Sequence, residues 1–264
     1  MITMKGAAVS AKLKEQVEKG LETLTWVPKL TIIRVGENPD DISYEKGATK
    51  KLTSFGLEVE SKVFPGDISD EAFKKEFAAI NADASVDGIL MLRPLPKQIN
   101  EQDIEKMIDP AKDLDGISPV NIAKVFSGDT SGFAPCTAEA VVCMLKMNDI
   151  ALSGKRVAVV GRSMVVGRPL SMLLLHENAT VTICHSRTAS LPEVCREADI
   201  LTACVGKAAM INHTYVKKDA VVIDVGINVD ENGKLCGDVD YDTILEKAQA
   251  ATPVPGGVGA VTTA

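Results

Sequence analysis

The residues that most constrain the fold run from Val157 to Pro169, VAVVGRSMVVGRP. The apolar run at its start predicts a buried parallel strand, Gly161 permits a tight turn, and Gly167 would let the next helix pack close to that turn. Backbone N–H groups at a helix start suit a phosphate. Polar side chains nearby that could assist are Arg162, Ser163 and Arg168. The spacing differs from the common dinucleotide fingerprint, so this stretch alone leaves nucleotide binding and an ordinary strand-to-helix turn both open.

Apolar strands alternate with amphipathic helices on both sides of this stretch. Helices are predicted over residues 6–24, 40–54 and 137–148, with a further helix that begins after its cap, Ser69. Strands are predicted over residues 30–35, 57–64, 87–92, 180–184, 199–205 and 220–225. Ser190 and Glu193 match a capping box for a short helix. This alternation is typical of an α/β fold with parallel sheets.

The chain is long enough, at 264 residues, for two domains. Residues 108–132 carry turn formers and acids with little periodicity, and we place the junction there. We therefore expect an N-terminal α/β substrate domain over residues 1–120. Residues 121–264 should form a Rossmann-like domain with a doubly wound parallel sheet that binds a dinucleotide.

Composition excludes several classes of protein. The net charge is −7 and lysine and arginine form no block, which argues against nucleic acid or an anionic membrane as partner. The six cysteines are scattered without C-x-x-C pairs, and the three histidines form no cluster, so we expect reduced thiols and no metal site. The first residues lack the apolar core of a signal peptide, and no apolar run is long enough to span a bilayer. These features predict a cytoplasmic protein.

Ligands of parallel sheets bind beyond the carboxyl ends of the strands. Those ends are predicted at Gly161–Ser163, His185–Arg187, Gly206 and Gly226–Asn228. The end of the second strand of such a sheet meets the adenosine ribose, where an acid would favour NAD. Here Ser186 and Arg187 supply a hydroxyl and a cation that suit the 2′-phosphate of NADP, unless Arg187 is simply a solvated loop charge.

Two further stretches are candidates for substrate binding. Residues 112–116, KDLDG, offer two acids beside a glycine turn, and a carboxylate there could accept hydrogen bonds from an amidine-like heterocycle edge. The alternative is a turn with solvated acids. Residues 253–259, PVPGGVG, form either a rigid surface without side chains for a flat ligand, or a flexible tail.

Taken together, the motifs resemble the methylenetetrahydrofolate dehydrogenase/cyclohydrolase family of one-carbon metabolism over essentially the whole chain. The resemblance rests on Val159–Ser163 with Val166–Pro169, Thr180–Ser186, Val222–Asn228, Gly237–Asp240, Lys112–Gly116 and Thr252–Gly259. So many motifs in the family's order make a chance match very improbable.

The resemblance implies an enzyme that oxidises 5,10-methylenetetrahydrofolate to the 5,10-methenyl cation and passes the hydride to NADP. Tyr44 would pack on the folate and Asp115 would bind the pterin, while Pro255, Gly256 and Gly257 would line the substrate cleft. Residues implied to bind NADP are Gly161, Arg162, Ser163, Gly167, Ser186, Arg187, Gly206, Gly226 and Ile227. The family forms homodimers through the second domain, and its chains continue beyond the position of Ala264 into a helix that returns to the first domain.

The chain departs from the family at two polar positions. The bifunctional enzymes carry a lysine four residues after the tyrosine, which assists hydrolysis of the methenyl cation to 10-formyltetrahydrofolate, and here that residue is Ala48. The supporting glutamine before the family's L-P-L-P segment is Leu92, in a chain that reads LRPLP. Neither replacement can transfer a proton. Lys51 lies on the same helical face and is a possible substitute.

These departures predict a dehydrogenase with weak or absent cyclohydrolase activity that works beside a separate cyclohydrolase. The first alternative is the full bifunctional enzyme, with Lys51 or a water in place of the lysine. The second is a non-catalytic module that binds NADP and folate without turnover. A shikimate-type dehydrogenase of similar two-domain shape is disfavoured by the folate-family motifs.

Overall fold

The structure, a computed structural model, describes residues 1–264. The strands are β1 Ile2–Thr3, β2 Lys29–Val35, β3 Glu58–Phe64, β4 Gly88–Met91, β5 Arg156–Val160, β6 Thr180–Cys184, β7 Ile200–Ala203, β8 Val221–Asp224, β9 Asn228–Val229, β10 Leu235–Cys236 and β11 Ala250–Ala251. The helices are α1 Gly6–Leu21, α2 Pro39–Ser54, α3 Asp70–Ala82, α4 Glu101–Met107, α5 Pro119–Ser127, α6 Cys136–Met147, α7 Gly167–His176, α8 Leu191–Arg196, α9 Tyr241–Ile244 and α10 Gly259–Thr262. None of these helices has both the length and the apolar character needed to cross a membrane.

The chain divides into two compact units. The three-stranded unit comprises Leu13–Ala134 with Thr263–Ala264, and the six-stranded unit comprises Met1–Lys12 with Pro135–Thr262. Each main sheet is parallel and is connected through helices. The predicted fold class, a two-domain α/β protein with a Rossmann-like second sheet, is confirmed.

The three-stranded sheet has the order β3-β2-β4. Helix α2 follows β2 and begins as predicted, because the Asn38 side chain accepts a hydrogen bond from Asp40 N at 3.0 Å and two acids occupy its first turn. Helix α3 is capped by Ser69, as predicted, and buries Phe73 and Phe77 against the sheet. The core therefore forms where the helical and strand periodicities indicate.

A short segment extends this sheet beyond β4. Ile89 N donates to Lys112 O at 2.6 Å and Leu114 N donates to Ile89 O at 3.2 Å, so residues 112–114 run parallel to β4. Because parallel neighbours end at the same edge of a sheet, residue 115 emerges beside the end of β4. The carboxyl edge of this sheet therefore brings together the segments after β2, β4 and residue 114.

The six-stranded sheet has the order β1-β11-β8-β7-β5-β6. Strand β5 lies between β6 and β7, so the chain leaves β5 in one direction across the sheet and later returns to its other side. This reversal of strand order is the topological switch point at which ligands of doubly wound sheets bind. The turn after β5 lies within the predicted strand, turn and helix of residues 157–169.

The observed division of the chain differs from the predicted boundary at residue 120. That position lies within α5, in the range 108–132 that the sequence predicts to be irregular. Asn121 Nδ2 donates to Pro110 O at 3.0 Å and to Asp113 Oδ2 at 2.9 Å, which holds α5 on the three-stranded unit, and the division falls after Ala134. Residues 1–12 belong to the other unit because β1 pairs with β11.

Two local predictions were wrong. Helix α5 has Ser118 as its cap, with Asn121 N donating to Ser118 Oγ at 3.1 Å, and it ends at Gly128 with φ of +78°. The apolar stretch between these start and stop signals is short, so its periodicity did not indicate a helix. The capping box at Ser190 does not form, because Ser190 has φ of +47° and its carbonyl oxygen, not its hydroxyl, accepts from Glu193 N.

Candidate active site

Helix α2 carries the first of the predicted site residues. Tyr44 is 39% exposed, whereas Ala48, one turn later on the same face, is 1% exposed. Arg34 on β2 donates to the Glu45 carboxylate and to Gly36 O, which fixes this part of α2 beside the end of its strand. The helix therefore presents the tyrosine ring at the carboxyl edge of the three-stranded sheet.

The two positions that depart from the family lie together. Ala48 and Leu92 pack with Ile32 in one buried cluster, against the partly buried Leu52 and Val59. An apolar cluster of this kind offers no group that could hold a water or exchange a proton. Positions 48 and 92 thus belong to one apolar cluster.

Lys51 lies one turn beyond Ala48 on α2 and is half-buried. Burial lowers the pKa of its ammonium group below the usual value for lysine. A lysine with a lowered pKa is a better proton acceptor near neutrality than an ordinary one. Lys51 therefore stays a predicted substitute for the family's lysine.

The two acids of KDLDG have separate roles. Asp113 is buried and accepts hydrogen bonds from Ile117 N at 3.0 Å, Ser118 N at 2.8 Å and Asn121 Nδ2 at 2.9 Å. It holds the loop together and is closed to ligands. The Asp115 side chain keeps a quarter of its surface exposed. Of the two, Asp115 is the carboxylate that a ligand can reach.

Arg93 contacts the candidate residue Asp115 but is not among the residues predicted from the sequence. Its guanidinium places Nη2 at 3.5 Å from Asp115 Oδ2, and Nη1 at 3.3 Å from Glu101 Oε1 and 3.5 Å from Glu105 Oε1. The available signal was a cation directly after a buried strand and directly before a proline. Burial raises the pKa of Glu105, while the charge of Arg93 opposes that rise.

The turn after β5 is built by two close backbone approaches. Gly161 N donates to Cys184 O at 2.9 Å, and Gly161 has φ of +134°. A Cβ at Gly167 would lie 2.2 Å from Gly161 O, so α7 begins directly against the turn. Val166 N donates to Ser163 Oγ at 3.1 Å. Residues 162–165 between the two glycines are exposed, which leaves this edge open to a ligand.

The segment after β6 is ordered by its own side chains. His185 N donates to Thr188 Oγ1 at 2.9 Å, and Arg187 N donates to His185 Nδ1 at 3.0 Å. Ser186 and Arg187 are exposed beside the turn that follows the neighbouring β5. Gly206, after β7, has φ of +66° and open space where a Cβ would project. Exposed backbone, a hydroxyl and cations at one edge fit a dinucleotide with several phosphates.

Two buried aspartates brace the ends of β7 and β8. Asp238 accepts hydrogen bonds from Val205 N, Gly206 N and Lys207 N at 2.6, 3.1 and 2.8 Å, and from Asn228 Nδ2 at 3.0 Å. The motifs that contain these residues were recognised from the sequence, but their mutual contacts were not. Asp238 therefore sets the backbone around the candidate residue Gly206.

Asp224 supports Asp238 from the end of β8. It accepts hydrogen bonds from Gly226 N, Asp238 N and Val239 N at 3.0, 2.9 and 2.9 Å. Burial raises the pKa of the Asp224 carboxyl to about 6, against the opposing effect of these three donors. A Cβ at Gly226 would lie 2.3 Å from the Asp238 carboxylate, so this candidate residue must be a glycine. Ile227 beside it is exposed.

The PVPGGVG segment forms a compact turn in the six-stranded unit. Gly6 N donates to Gly256 O at 2.9 Å, and a Cβ at Gly257 would lie 2.5 Å from Pro253 O. Pro255 and Gly256 are exposed, whereas Gly257 is buried. These contacts hold the segment at the start of α1 and leave a short surface of proline and glycine accessible.

Models of one family match both parts of the chain. Residues 4–115 match the catalytic domain of tetrahydrofolate dehydrogenase/cyclohydrolase, and residues 135–264 match the NAD(P)-binding domain of the same family.

Individual proteins are similar over nearly the full length. The bifunctional protein FolD of Clostridioides difficile strain 630 is 52% identical over 263 residues, which cover 98% of this chain and 92% of that protein. The bifunctional FolD structure from Campylobacter jejuni superimposes with a TM-score of 0.96 at 36% identity, over 100% of this chain and 94% of that one. The Trypanosoma brucei FolD structure, complexed with NADP cofactor and inhibitor, gives a TM-score of 0.92 at 31% identity. The match covers 100% of this chain and 93% of that one.

Proposed function

Because the chain belongs to the tetrahydrofolate dehydrogenase/cyclohydrolase family, we propose that it oxidises 5,10-methylenetetrahydrofolate to the 5,10-methenyl cation with NADP as hydride acceptor. The observation that carries this proposal is the carboxyl edge of the six-stranded sheet. There the turn from Gly161 to Gly167 and the pair Ser186 and Arg187 offer backbone and charge suited to a phosphorylated dinucleotide.

The candidate residues for substrate binding have separate tasks in this proposal. Tyr44 supplies a ring face for the folate, and Asp115 accepts hydrogen bonds from the N–H edge of the pterin. Pro255 and Gly256 give a surface against which a flat ring can lie, with the buried Gly257 holding the turn. NADP, when bound, supplies the nicotinamide ring that accepts the hydride. The protein contributes orientation and exclusion of water.

Arg187 is proposed to select NADP over NAD. The Arg187→Ala variant is expected to raise the KM for NADP about tenfold, through loss of a charge-assisted contact to the 2′-phosphate. The KM for NAD, which lacks that phosphate, should stay within about twofold. Steady-state kinetics with both cofactors measure the difference, and Arg156→Ala at the amino end of β5 is the matched control. Equal increases for the two cofactors would contradict this role.

The proposal allows two forms of the enzyme, which differ in whether it also hydrolyses the methenyl cation. The names of the similar proteins favour the bifunctional form, in which the methenyl cation is hydrolysed to 10-formyltetrahydrofolate. The apolar cluster that holds Ala48 and Leu92 favours weak or absent hydrolysis, with a separate cyclohydrolase acting on the product. In the bifunctional form, Lys51 is the residue of α2 whose lowered pKa suits proton transfer.

Following NADPH and the methenyl cation separately distinguishes these forms. In a buffer where spontaneous hydrolysis is slow, an enzyme without cyclohydrolase activity would accumulate methenyl cation in step with NADPH, because positions 48 and 92 hold no group that exchanges protons. Formation of 10-formyltetrahydrofolate at a comparable rate would establish the bifunctional form. Lys51→Met should then abolish hydrolysis selectively, while Lys50→Met, an exposed neighbour on α2, should leave it unchanged.

The same assay tests the proposal against a non-catalytic module. Such a module would bind NADP and tetrahydrofolate in calorimetry but form no NADPH from 5,10-methylenetetrahydrofolate. We propose further that the enzyme is cytoplasmic, as its composition predicts, and that it is a homodimer, as the family resemblance implies. Sedimentation of the purified chain measures its mass in solution.

A further inference from the structure

The guanidinium of Arg93 contacts the carboxylate proposed to bind the pterin. We infer that Arg93 is a positioning residue, which acts through Asp115 to set the affinity for folate. The inference rests on the proposed function, since it assigns to Arg93 the task of orienting a substrate-binding group.

The contacts tie Asp115 to helix α4. Arg93 reaches Asp115 through Nη2 at 3.5 Å and reaches Glu101 and Glu105, one helical turn apart on α4, through Nη1 at 3.3 and 3.5 Å. Glu101 is itself held, because its Oε2 accepts a hydrogen bond from Leu95 N at 3.1 Å. The guanidinium is thus anchored on one side by α4 and contacts the Asp115 carboxylate on the other.

The loop that carries Asp115 does not depend on Arg93 for its shape. Asp113 fixes the backbone that follows through its hydrogen bonds to Ile117 N and Ser118 N, and residues 112–114 pair with β4. Loss of the guanidinium would therefore leave the loop in place and remove a contact that orients the Asp115 side chain. This separates an effect on ligand binding from an effect on folding.

Charge reinforces the geometry. Three carboxylates converge on one cation whose side chain is 17% exposed, so repulsion between the carboxylates is compensated locally by Arg93. Removal of this cation would leave the repulsion between the Asp115 carboxylate and the two glutamates uncompensated. Lysine at the same position would keep the charge but lose the fork that spans α4 and Asp115.

The test combines substitutions of Arg93 and Asp115. Arg93→Leu should raise the KM for 5,10-methylenetetrahydrofolate about tenfold, as expected for loss of a charge-assisted contact, with the KM for NADP within about twofold. Arg93→Lys should restore part of the folate affinity. In an Asp115→Asn background, Arg93→Leu should change folate KM by less than about twofold, because residues that act through each other are non-additive.

A matched cation provides the control. Lys74 bridges Asp70 and Asp103, the latter on α4, at 2.6 and 2.7 Å, and Lys74→Leu should leave both KM values unchanged. The inference is overturned if Arg93→Leu leaves folate KM unchanged, raises both KM values alike, or has the same effect with and without Asp115.

Calorimetric titration with tetrahydrofolate repeats the comparison without turnover. If the wild-type chain forms no NADPH, the proposed function fails. Weaker tetrahydrofolate binding by Arg93→Leu would in that case still support the role of Arg93, and unchanged binding would refute it.

Discussion

Alanine at Gly161 is expected to destabilise the six-stranded unit by about 3 kcal/mol and to abolish measurable NADP binding. An added Cβ would lie 2.3 Å from Cys204 O and 2.7 Å from Cys204 Sγ, at a residue with φ of +134°. The carbonyl belongs to backbone at the end of β7, which cannot retreat without breaking the sheet. Because α7 starts against Gly161 O, the displaced turn would carry the helix start with it.

Gly154→Ala is the matched control for this prediction. Gly154 also has a positive φ, +75°, but has nothing within 4 Å of the added Cβ, so conformational strain alone should cost about 1 kcal/mol. Denaturant unfolding measures both variants, and calorimetry measures NADP binding. A Gly161→Ala variant no less stable than Gly154→Ala, or one that binds NADP normally, would refute the role assigned to this turn.

Removal of the Asp238 carboxylate should have the second large effect. Asp238→Ala leaves four donors without their acceptor: the N–H groups of residues 205–207 and Asn228 Nδ2. Orphaned buried donors cost about 1–3 kcal/mol each, and with partial access to water we expect a total loss of about 4 kcal/mol. Because residues 205–207 follow β7 at the proposed cofactor edge, the KM for NADP should also rise at least about tenfold.

A partly exposed aspartate with similar hydrogen bonds separates the effect of burial from that of hydrogen bonding. Asp230 accepts from Asn232 N at 2.9 Å and Lys234 N at 2.8 Å in the β9–β10 turn, and Asp230→Ala should cost about 1 kcal/mol or less. Urea unfolding and NADP kinetics provide the two readouts. If Asp238→Ala loses no more stability than Asp230→Ala, the network does not brace the strand ends.

Features carried by neighbouring residues were predictable from the sequence. The strand, turn and helix from Val157 to Pro169 and the cap at Ser69 depend on local spacing, and the structure confirms them. The conformation at Ser190 is local too, yet the capping pattern there misled, because a positive φ withdraws the hydroxyl from the first turn.

Features that join distant residues were not predictable. Asp238 meets Val205 across 33 residues, and Arg93 meets Asp115 across 22. No periodicity specifies such pairings, since they depend on which strands become neighbours. For the same reason the sequence could not distinguish the role of Asp113 from that of Asp115. Both acids belong to one motif, and only the folded chain shows that Asp113 is the one covered by the α5 segment.

The pairing of β1 with β11 has a consequence for how the protein is made. Ile2 and Thr3 are synthesised before Leu13–Ala134 but lie beside Ala250 and Ala251, which are synthesised after it. The six-stranded sheet can therefore be completed only after Ala251 has emerged, whereas Leu13–Ala134 can fold during translation. A chain stalled before Ala250 would carry a folded three-stranded unit while β1 is still unpaired.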